Sequence, residues 1–498
     1  MPRSILDLSR AAMWAAIRLP SVGWRNARRL RPVPPIADFL PPKYFANKWG
    51  FFRRPLSITS SQVPPNPKST LMTRTRRRFL EQFVGGAALS SAAPSLAYAD
   101  SSAQSATQPP GTGRYDYLGR TPGYRDWAVV PPGLTVKSIE TFRRDSLALV
   151  RITASDGKVG WGQIAPYEAD ISAEVLHRLI ARLVIGRDIS EIDAINDAVI
   201  DAQLKFPWSF LCRALAGVDT ALWDLYGQIT GKPVAALLGG SVRPLPAYGS
   251  SMRRDISPAD EATRLARLRD TFGCKAFKIR LGTPGGRNRD AAPGRSEAII
   301  PAVRKAVGPD IELHADANSC YTPDVAIAMG RRLEDSHYAA FEEPCPYWEL
   351  EWTQEVTRAL SIDVQGGEQD NDMAQWRRMI AMRAVDIVQP DICYVGGLTR
   401  AWRVAKMAEA AGLVTKPHAA NVSLVTVFTM HLLAALPKAG EVEFSIEDDA
   451  AITKQARTMF DPVLEMKDGR AVMPDGPGWG VRIKADWLAA AERRMSPA

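Results

Sequence analysis

Cysteine is scarce: the 498 residues hold five, Cys212, Cys274, Cys320, Cys345 and Cys393. The number is odd and no pair has C-x-x-C spacing, which argues against both a disulfide framework and a zinc site. Long apolar runs are scarce too. Past residue 99 no stretch of 18 or more occurs, so no membrane-spanning helix is expected there. A basic excess is also missing from the body of the chain. The net charge of +9 suggests a polyanion binder, but residues 1–71 contribute +10 and residues 72–99 contribute +3, leaving −4 for residues 100–498. A mildly acidic body gives no support to a nucleic-acid partner.

The charge split coincides with a targeting pattern. Met72 is followed by TRTRRRF, the mostly apolar LEQFVGGAALSSAAPSLAYA and then Asp100. A basic region, an apolar region and an A-x-A end at Ala97-Tyr98-Ala99 are the parts of a secretory signal. Thr75-Arg76-Arg77-Arg78-Phe79-Leu80 further resembles a twin-arginine export signal. The expectation is a functional start at Met72, with residues 1–71 an upstream extension or disordered tail, a signal over 72–99, and a periplasmic or exported product. A cytoplasmic protein is the alternative. Reduced, buried cysteines fit export after folding.

The remainder, 46% hydrophobic and 23% charged over the whole chain, has ordinary globular composition. Residues 100–132 are rich in Ser, Gln, Pro and Gly and read as a linker or surface arm. LTVKSIETFRR and SLALVRITASDGKVGWGQ read as two antiparallel strands with a turn at Ser155-Asp156-Gly157. The following ALAGVDTALWDLYGQITG puts Ala214, Val218, Ala221, Leu222 and Leu225 on one helical face, and Gly231 and Pro233 stop it. This predicts an α+β domain over 133–243.

From residue 244 to 452 short apolar strands alternate with helical segments: LPAYGS, AFKIRLG, DIELHAD, YAAFEE, IDVQGGE, VDIVQPD, LVTKPH and EVEFS. Eight strands at this spacing predict a (β/α)8-type barrel. From the third strand on, they end on Asp316, Glu342, Glu368, Asp391, His418 and Glu443, at intervals of 26, 26, 23, 27 and 25 residues. A polar residue recurring once per βα unit describes a ring around one mouth, where such barrels carry their chemistry.

Asp316, Glu342 and Glu368 close together would repel and raise one another's pKa. A hard divalent cation resolves this, and three carboxylates with room for water and substrate suit Mg²⁺. Asp391 and His418 end neighbouring strands, so the carboxylate can fix the imidazole tautomer and raise its basicity while the other nitrogen faces the site. In the second strand, Lys278 and Arg280 share a face. Base rates favour a solvated edge for such a pair, whereas the ring beside them favours the barrel mouth.

These motifs, ALAGVDTALWDLYGQITGKPVAALLGG, K-x-R, D-x-N, EEP, GE, PD…GG and the strand-seven His, resemble the enolase superfamily, mandelate racemase subgroup, over residues 133–498. The resemblance implies a modified (β/α)7β barrel with an α+β capping domain, and a segment from about residue 453 returning to the cap. It implies Mg²⁺ on Asp316, Glu342 and Glu368, a catalytic dyad of Asp391 and His418, and Glu443 contacting the substrate carboxylate. It also implies a small-molecule carboxylate substrate, an acid sugar or other hydroxy acid. A homo-oligomer is expected.

The family commonly carries Lys-x-Lys where this chain has Lys278-Ile279-Arg280. Arginine, with a pKa above about 12, is a poor base near neutrality. Arg280 is therefore assigned to substrate binding or charge stabilisation, and Lys278, its pKa lowered by that neighbour, to the carboxylate. One competent base favours β-elimination over racemisation, hence an acid sugar dehydratase. The alternatives are a racemase, epimerase or lactone cycloisomerase using the same enolate step, and an exported sugar-acid binding protein. Arg143, Arg144, Tyr167, Arg253 and Arg254 are candidate specificity residues, and GTPGGRNRDAAPGR (282–295) is a candidate mobile lid.

Overall fold

The segment 146–163 turns back on itself, so the first sheet has one more strand than the sequence suggests: β1 (Val136–Arg144), β2 (Leu147–Ala154) and β3 (Val159–Ile164). The reversal is the expected Ser155–Gly157 turn, where Gly157 takes φ +88° and its N–H reaches Ala154 O at 2.9 Å. The strands run antiparallel, with Ile139 opposite Ile152 and Arg151 opposite Trp161. In the computed structural model, residues 118–121, 124, 127, 130–419, 421–447 and 456–497 are described. They belong to one unit, Ala97–Ala498. The expected upstream extension, the export signal, most of the 100–132 linker and the boundary at Thr453 lie outside the described residues.

The helix Phe210–Thr230 lies directly on β3. A Cβ on Gly160 would stand 2.2 Å from Ala221 O, and one on Gly162 2.3 Å from Gly217 O, so only glycine permits this approach. The predicted apolar face is buried, and so is the opposite face. There Trp223 Nε1 donates to Thr399 Oγ1 at 3.0 Å, and Asp219 accepts the Thr399 N–H at 3.1 Å. The helix is sandwiched between the cap sheet and the barrel. Gly231 closes it in the left-handed conformation, as the sequence indicates.

All eight barrel strands are present: β4 (Leu245–Ser250), β5 (Ala276–Arg280), β6 (Glu312–Asp316), β7 (Ala340–Glu342), β8 (Asp363–Gly366), β9 (Ile387–Val388), β10 (Val414–Thr415) and β11 (Val442–Ser445). They pair in parallel in chain order from β4 to β10, and β11 pairs with β4. A Thr415–Ala439 bridge joins the remaining edge. Helices separate successive strands, which gives the (β/α)7β arrangement.

The tail ties the layers together. It forms β12 (Phe460–Asp461), β13 (Met466–Lys467), β14 (Arg470–Ala471), β15 (Arg482–Ile483) and β16 (Glu492–Pro497). Strand β14 pairs antiparallel with β4 of the barrel, and β16 adds to the cap sheet beside β1, from Ser138–Pro497 to Arg143–Glu492.

Candidate active site

Strand register builds the site. The β5–β6 pairing sets Arg280 beside Asp316, and the β6–β7 pairing sets Asp316 beside Glu342. Glu368 follows β8, Asp391 follows β9, and His418 follows β10, each within three residues of its strand end. Glu443 lies within β11. All eight residues named from the sequence thus come to one end of the barrel, and all are buried. The pair Lys278 and Arg280 is 0% and 2% exposed, so the solvated-edge reading of that strand fails.

Asp316, Glu342 and Glu368 each offer an oxygen, all within 4.8 Å of one another. Lys278 Nζ donates to Glu342 Oε1, lies 2.8 Å from Glu443 Oε1 and 3.6 Å from Asp316 Oδ2. Glu342 Oε2 accepts from Gln365 Nε2 at 2.6 Å and Gln389 Nε2 at 2.8 Å. Burial pushes the Glu342 pKa up, and Lys278 only partly offsets this. Among the described residues no group donates a hydrogen bond to Glu368 Oε2. A cluster of buried carboxylates short of positive charge, one of them with an orphaned oxygen, fits a divalent cation.

Lys278 itself departs from expectation. Burial would neutralise it and Arg280 also lowers its pKa, but Glu342 and Glu443 outweigh both and push the pKa up. The sequence reading considered Arg280 and omitted the two carboxylates in contact.

Arg280 is committed to the protein. It donates to Asp316 Oδ2, to Ser251 O at 2.9 Å, to Asn318 Oδ1 at 3.0 Å and to Met252 Sδ. Burial opposes its charge, yet Asp316 and Glu443 raise the pKa further still. Asp316 in turn is held below the usual carboxylate range: burial would raise it, and Arg280 and Lys278 prevail.

On the other side of the mouth, His418 Nδ1 is 2.7 Å from Asp391 Oδ2. The second Asp391 oxygen caps the short helix Ile392–Val395, accepting from Cys393 N at 2.7 Å and Tyr394 N at 2.9 Å. The aspartate is therefore fixed twice, and the Nδ1–H tautomer follows. His418 Nε2 faces Glu368 Oε2 at 3.4 Å. Burial would lower the imidazole pKa, but Glu368, Glu443 and Asp391 raise it to about 10 with no cation on Glu368; a cation held there would offset the largest of these effects and free Nε2 to act as a base. Glu443 accepts from Lys278, from Ser250 Oγ at 2.7 Å and from Ala419 N at 2.9 Å, so in this structure it positions those groups.

Among the candidate specificity residues, two reach the mouth. Tyr167, solvent-accessible and at φ +64°, lies within electrostatic reach of Arg280, Glu368, Asp391 and Arg213. Arg254 donates to Asn318 Oδ1 at 2.6 Å and to Gly282 O at 3.0 Å. Arg143 and Arg253 instead pair with Glu492 and Asp255 at exposed positions, and Arg144 ends β1 in the cap sheet. The candidate lid is mostly exposed and is tied to the loop after β6 by two main-chain bonds, Gly285 N to Asn318 O at 2.8 Å and Asn288 N to Cys320 O at 2.9 Å.

The sequence reading missed Gln365, Gln389 and Arg213. The two glutamines sit in the strand runs VQGGE and VQPD, where alternation parity puts them on the inner face. Arg213, at the start of a cap helix, has no such signal. A second group, Glu312, His314 and Glu441, gathers at the opposite ends of the strands, where Lys416 already supplies a buried positive charge.

A parallel barrel with three carboxylates, a lysine and an aspartate-supported histidine at its C-terminal mouth defines an enzyme that stabilises a carbanion beside a carboxylate on a metal. The chain belongs to the mandelate racemase / muconate lactonizing enzyme family of the enolase superfamily. Residues 125–239 match the N-terminal domain model of that family, and residues 260–487 match the enolase C-terminal domain-like model. The chain is 30% identical over 355 residues to arabinonate dehydratase of Saccharolobus solfataricus, which spans 70% of this chain and 91% of that protein. It is 31% identical over 364 residues to D-galactarolactone cycloisomerase of Agrobacterium fabrum, spanning 71% and 93%. A candidate racemase from Roseobacter denitrificans superposes with a TM-score of 0.71 at 55% identity, covering 73% of this chain and 100% of that one. A mandelate racemase/muconate lactonizing protein from Paracoccus denitrificans, complexed with magnesium, gives 0.67 at 30% identity over 74% and 99%. The protein is an acid sugar dehydratase-like enzyme, and its family uses Mg²⁺ in enolate chemistry.

Proposed function

We propose that the protein is a Mg²⁺-dependent lyase that removes the α-proton of an acid sugar or related hydroxy acid and expels the β-hydroxyl, giving a 2-keto-3-deoxy acid. The observation that carries this is the asymmetry of the mouth: His418 is a supported, mobile-proton group on one side, and Arg280 is saturated and permanently charged on the other. Racemisation needs competent bases on both faces of the α-carbon. Elimination needs one.

Asp316, Glu342 and Glu368 would hold the cation. When bound, Mg²⁺ supplies electrophilic stabilisation of the carboxylate-derived enediolate and offsets the charge of Glu368. His418 Nε2 takes the α-proton, and Asp391 steadies the resulting imidazolium. Lys278, kept cationic by Glu342 and Glu443, stabilises negative charge on the substrate carboxylate. As the β-carbon–oxygen bond breaks, His418 returns its proton to the departing hydroxyl, which leaves as water. The resulting enol tautomerises to the keto acid. Arg280 holds Asp316 and Asn318 in place and adds positive potential.

The isomerase readings share the first step, and the relatives include a cycloisomerase and a candidate racemase. The binding-protein reading has no use for the Asp391–His418 pair. Screening a panel of acid sugars with Mg²⁺ for 2-keto-3-deoxy products tests the proposal; stereoisomers or ring-opened acids in place of keto products would overturn it. Export through a twin-arginine signal and homo-oligomer formation are further proposals. The first is motivated by residues 72–99, and the second by exposed Leu204, Phe206 and Trp348.

A further inference from the structure

Arg213 stands in the first turn of the helix Phe210–Thr230, on the cap side of the mouth. Its guanidinium carbon lies over the Tyr394 ring, 3.8 Å from the centroid. The Tyr394 ring is in turn 5.8 Å from that of His418, so the guanidinium is one tyrosine ring away from the base. Arg213 also acts electrostatically on Tyr167 from the cap and on Tyr347 from the loop after β7. It therefore faces the same space as the catalytic groups, from the flank opposite Lys278 and Arg280.

No anion among the described residues claims it. Among the described residues its side chain makes one hydrogen bond, a 3.4 Å contact from Nη2 to the neutral Gln369 Oε1, and has no carboxylate within 4.0 Å. The other buried arginines near the mouth are occupied: Arg280 by Asp316, and Arg400 by Val395 O and Asn371 O. A half-buried guanidinium has lost part of its hydration, and a ring face 3.8 Å away holds it by a cation–π contact. Most of its N–H groups nevertheless have no acceptor among the described residues. A fixed, unclaimed fork of this kind matches a carboxylate brought from outside.

We propose that Arg213 receives a second carboxylate at the far end of the substrate, so that the enzyme acts on dicarboxylic acid sugars. The inference rests on the reading of the site as an acid sugar lyase, in which the first carboxylate lies at the metal ligands and Lys278. A single guanidinium flanked by Tyr167, Tyr347 and Tyr394 balances one negative charge. A phosphate monoester, carrying up to about two charges, calls for more cations than this flank provides.

Calorimetric binding to the Mg²⁺-loaded protein tests this without turnover. The probes are succinate, glutarate and adipate, each against the monocarboxylate of the same length. At least one dicarboxylate should bind ten-fold or more tightly than its monoacid. The advantage should vanish in Arg213→Gln and survive in part in Arg213→Lys. Equal binding of every pair by the wild-type protein would overturn the assignment, as would an advantage that persists in Arg213→Gln. Preference for 6-phosphogluconate over all three dicarboxylates, lost in Arg213→Gln, would replace the second carboxylate by a phosphate. A matched turnover assay with hexaric and hexonic acids separates the two levels. Absence of keto product from either class, with the dicarboxylate advantage intact, contradicts the lyase reading and leaves Arg213 as the anion site.

Discussion

Arg280 is bound to Asp316 across the β5–β6 register, and this one contact settles what the guanidinium can do. The same residue is held by Ser251 O and Asn318 Oδ1. A group that is buried, saturated and permanently charged cannot shuttle a proton. It can only fix its neighbour and lend its field. The burden of proton transfer then falls on His418, whose partner Asp391 is itself fixed by two main-chain N–H groups.

Asp391→Asn separates support from folding. The amide oxygen can still accept from Cys393 N and Tyr394 N, so the Ile392–Val395 helix keeps its cap. The amide nitrogen, placed at His418 Nδ1, inverts the tautomer preference. Turnover should fall by about 10²-fold or more with the melting temperature nearly unchanged. Steady-state kinetics together with thermal unfolding measure both, and wild-type turnover would remove Asp391 from the dyad.

Metal binding should depend on Glu342 more than on its hydrogen bonds alone suggest. In Glu342→Gln, Lys278 loses an anionic contact, and the cluster loses the charge that attracts a cation. Chelation should abolish wild-type turnover and added Mg²⁺ restore it, whereas the variant should need far more Mg²⁺ or stay inactive. Mn²⁺ titration followed by electron paramagnetic resonance reads the binding directly. Full activity of a metal-free Glu342→Gln protein excludes this site.

Acid stability should carry the mark of His431. Its Nδ1 accepts the Ala235 N–H at 2.9 Å and its Nε2 lies 3.2 Å from Trp479 O, an arrangement for the neutral ring. Burial lowers its pKa from 6.5 to about 4. The native state therefore binds this proton less readily than the unfolded chain. The stabilisation is fully present above pH 6.5 and is lost as the pH falls towards about 4. It amounts to about 3 kcal/mol. In His431→Gln the difference in unfolding free energy between pH 7 and pH 4.5 should shrink by a comparable amount. An unchanged acid limb would show that other groups set it.

The charge split at the N-terminal end predicts processing. The mature protein should begin near Asp100, after the Ala97-Tyr98-Ala99 end of the signal. N-terminal sequencing of native protein checks this. Peptides from residues 1–71 in the mature form would contradict a start at Met72.

Much of the site was legible because parallel barrel strands put residues of one parity on one surface, and a βα unit has a nearly constant length. Asp316, Glu342, Glu368, Asp391, His418 and Glu443 therefore read as a ring from their spacing alone. What the sequence hid depends on contacts between distant segments. The Lys278 pKa moved the other way because Glu342 and Glu443, on strands β7 and β11, touch it. The helix Phe210–Thr230 showed one apolar face, yet both faces are buried, the second through Trp223, Asp219 and Thr399. Strand β16 joins the cap only because the chain returns to β1 after the whole barrel. Gln163 links cap and barrel in the same hidden way, donating to Ser423 Oγ at 3.0 Å and accepting from Leu424 N.

The central claim, that His418 is the single base of this site, is tested most directly by α-proton exchange in D₂O with a responsive acid sugar. His418→Asn should retain Mg²⁺ and bind the substrate but show no exchange at the α-carbon, while Arg280→Lys should keep His418-dependent exchange and can gain it on the opposite face. Wild-type exchange by His418→Asn, together with complete loss of exchange in Lys278→Met, would put the base on β5 and contradict the single-base account of the lyase.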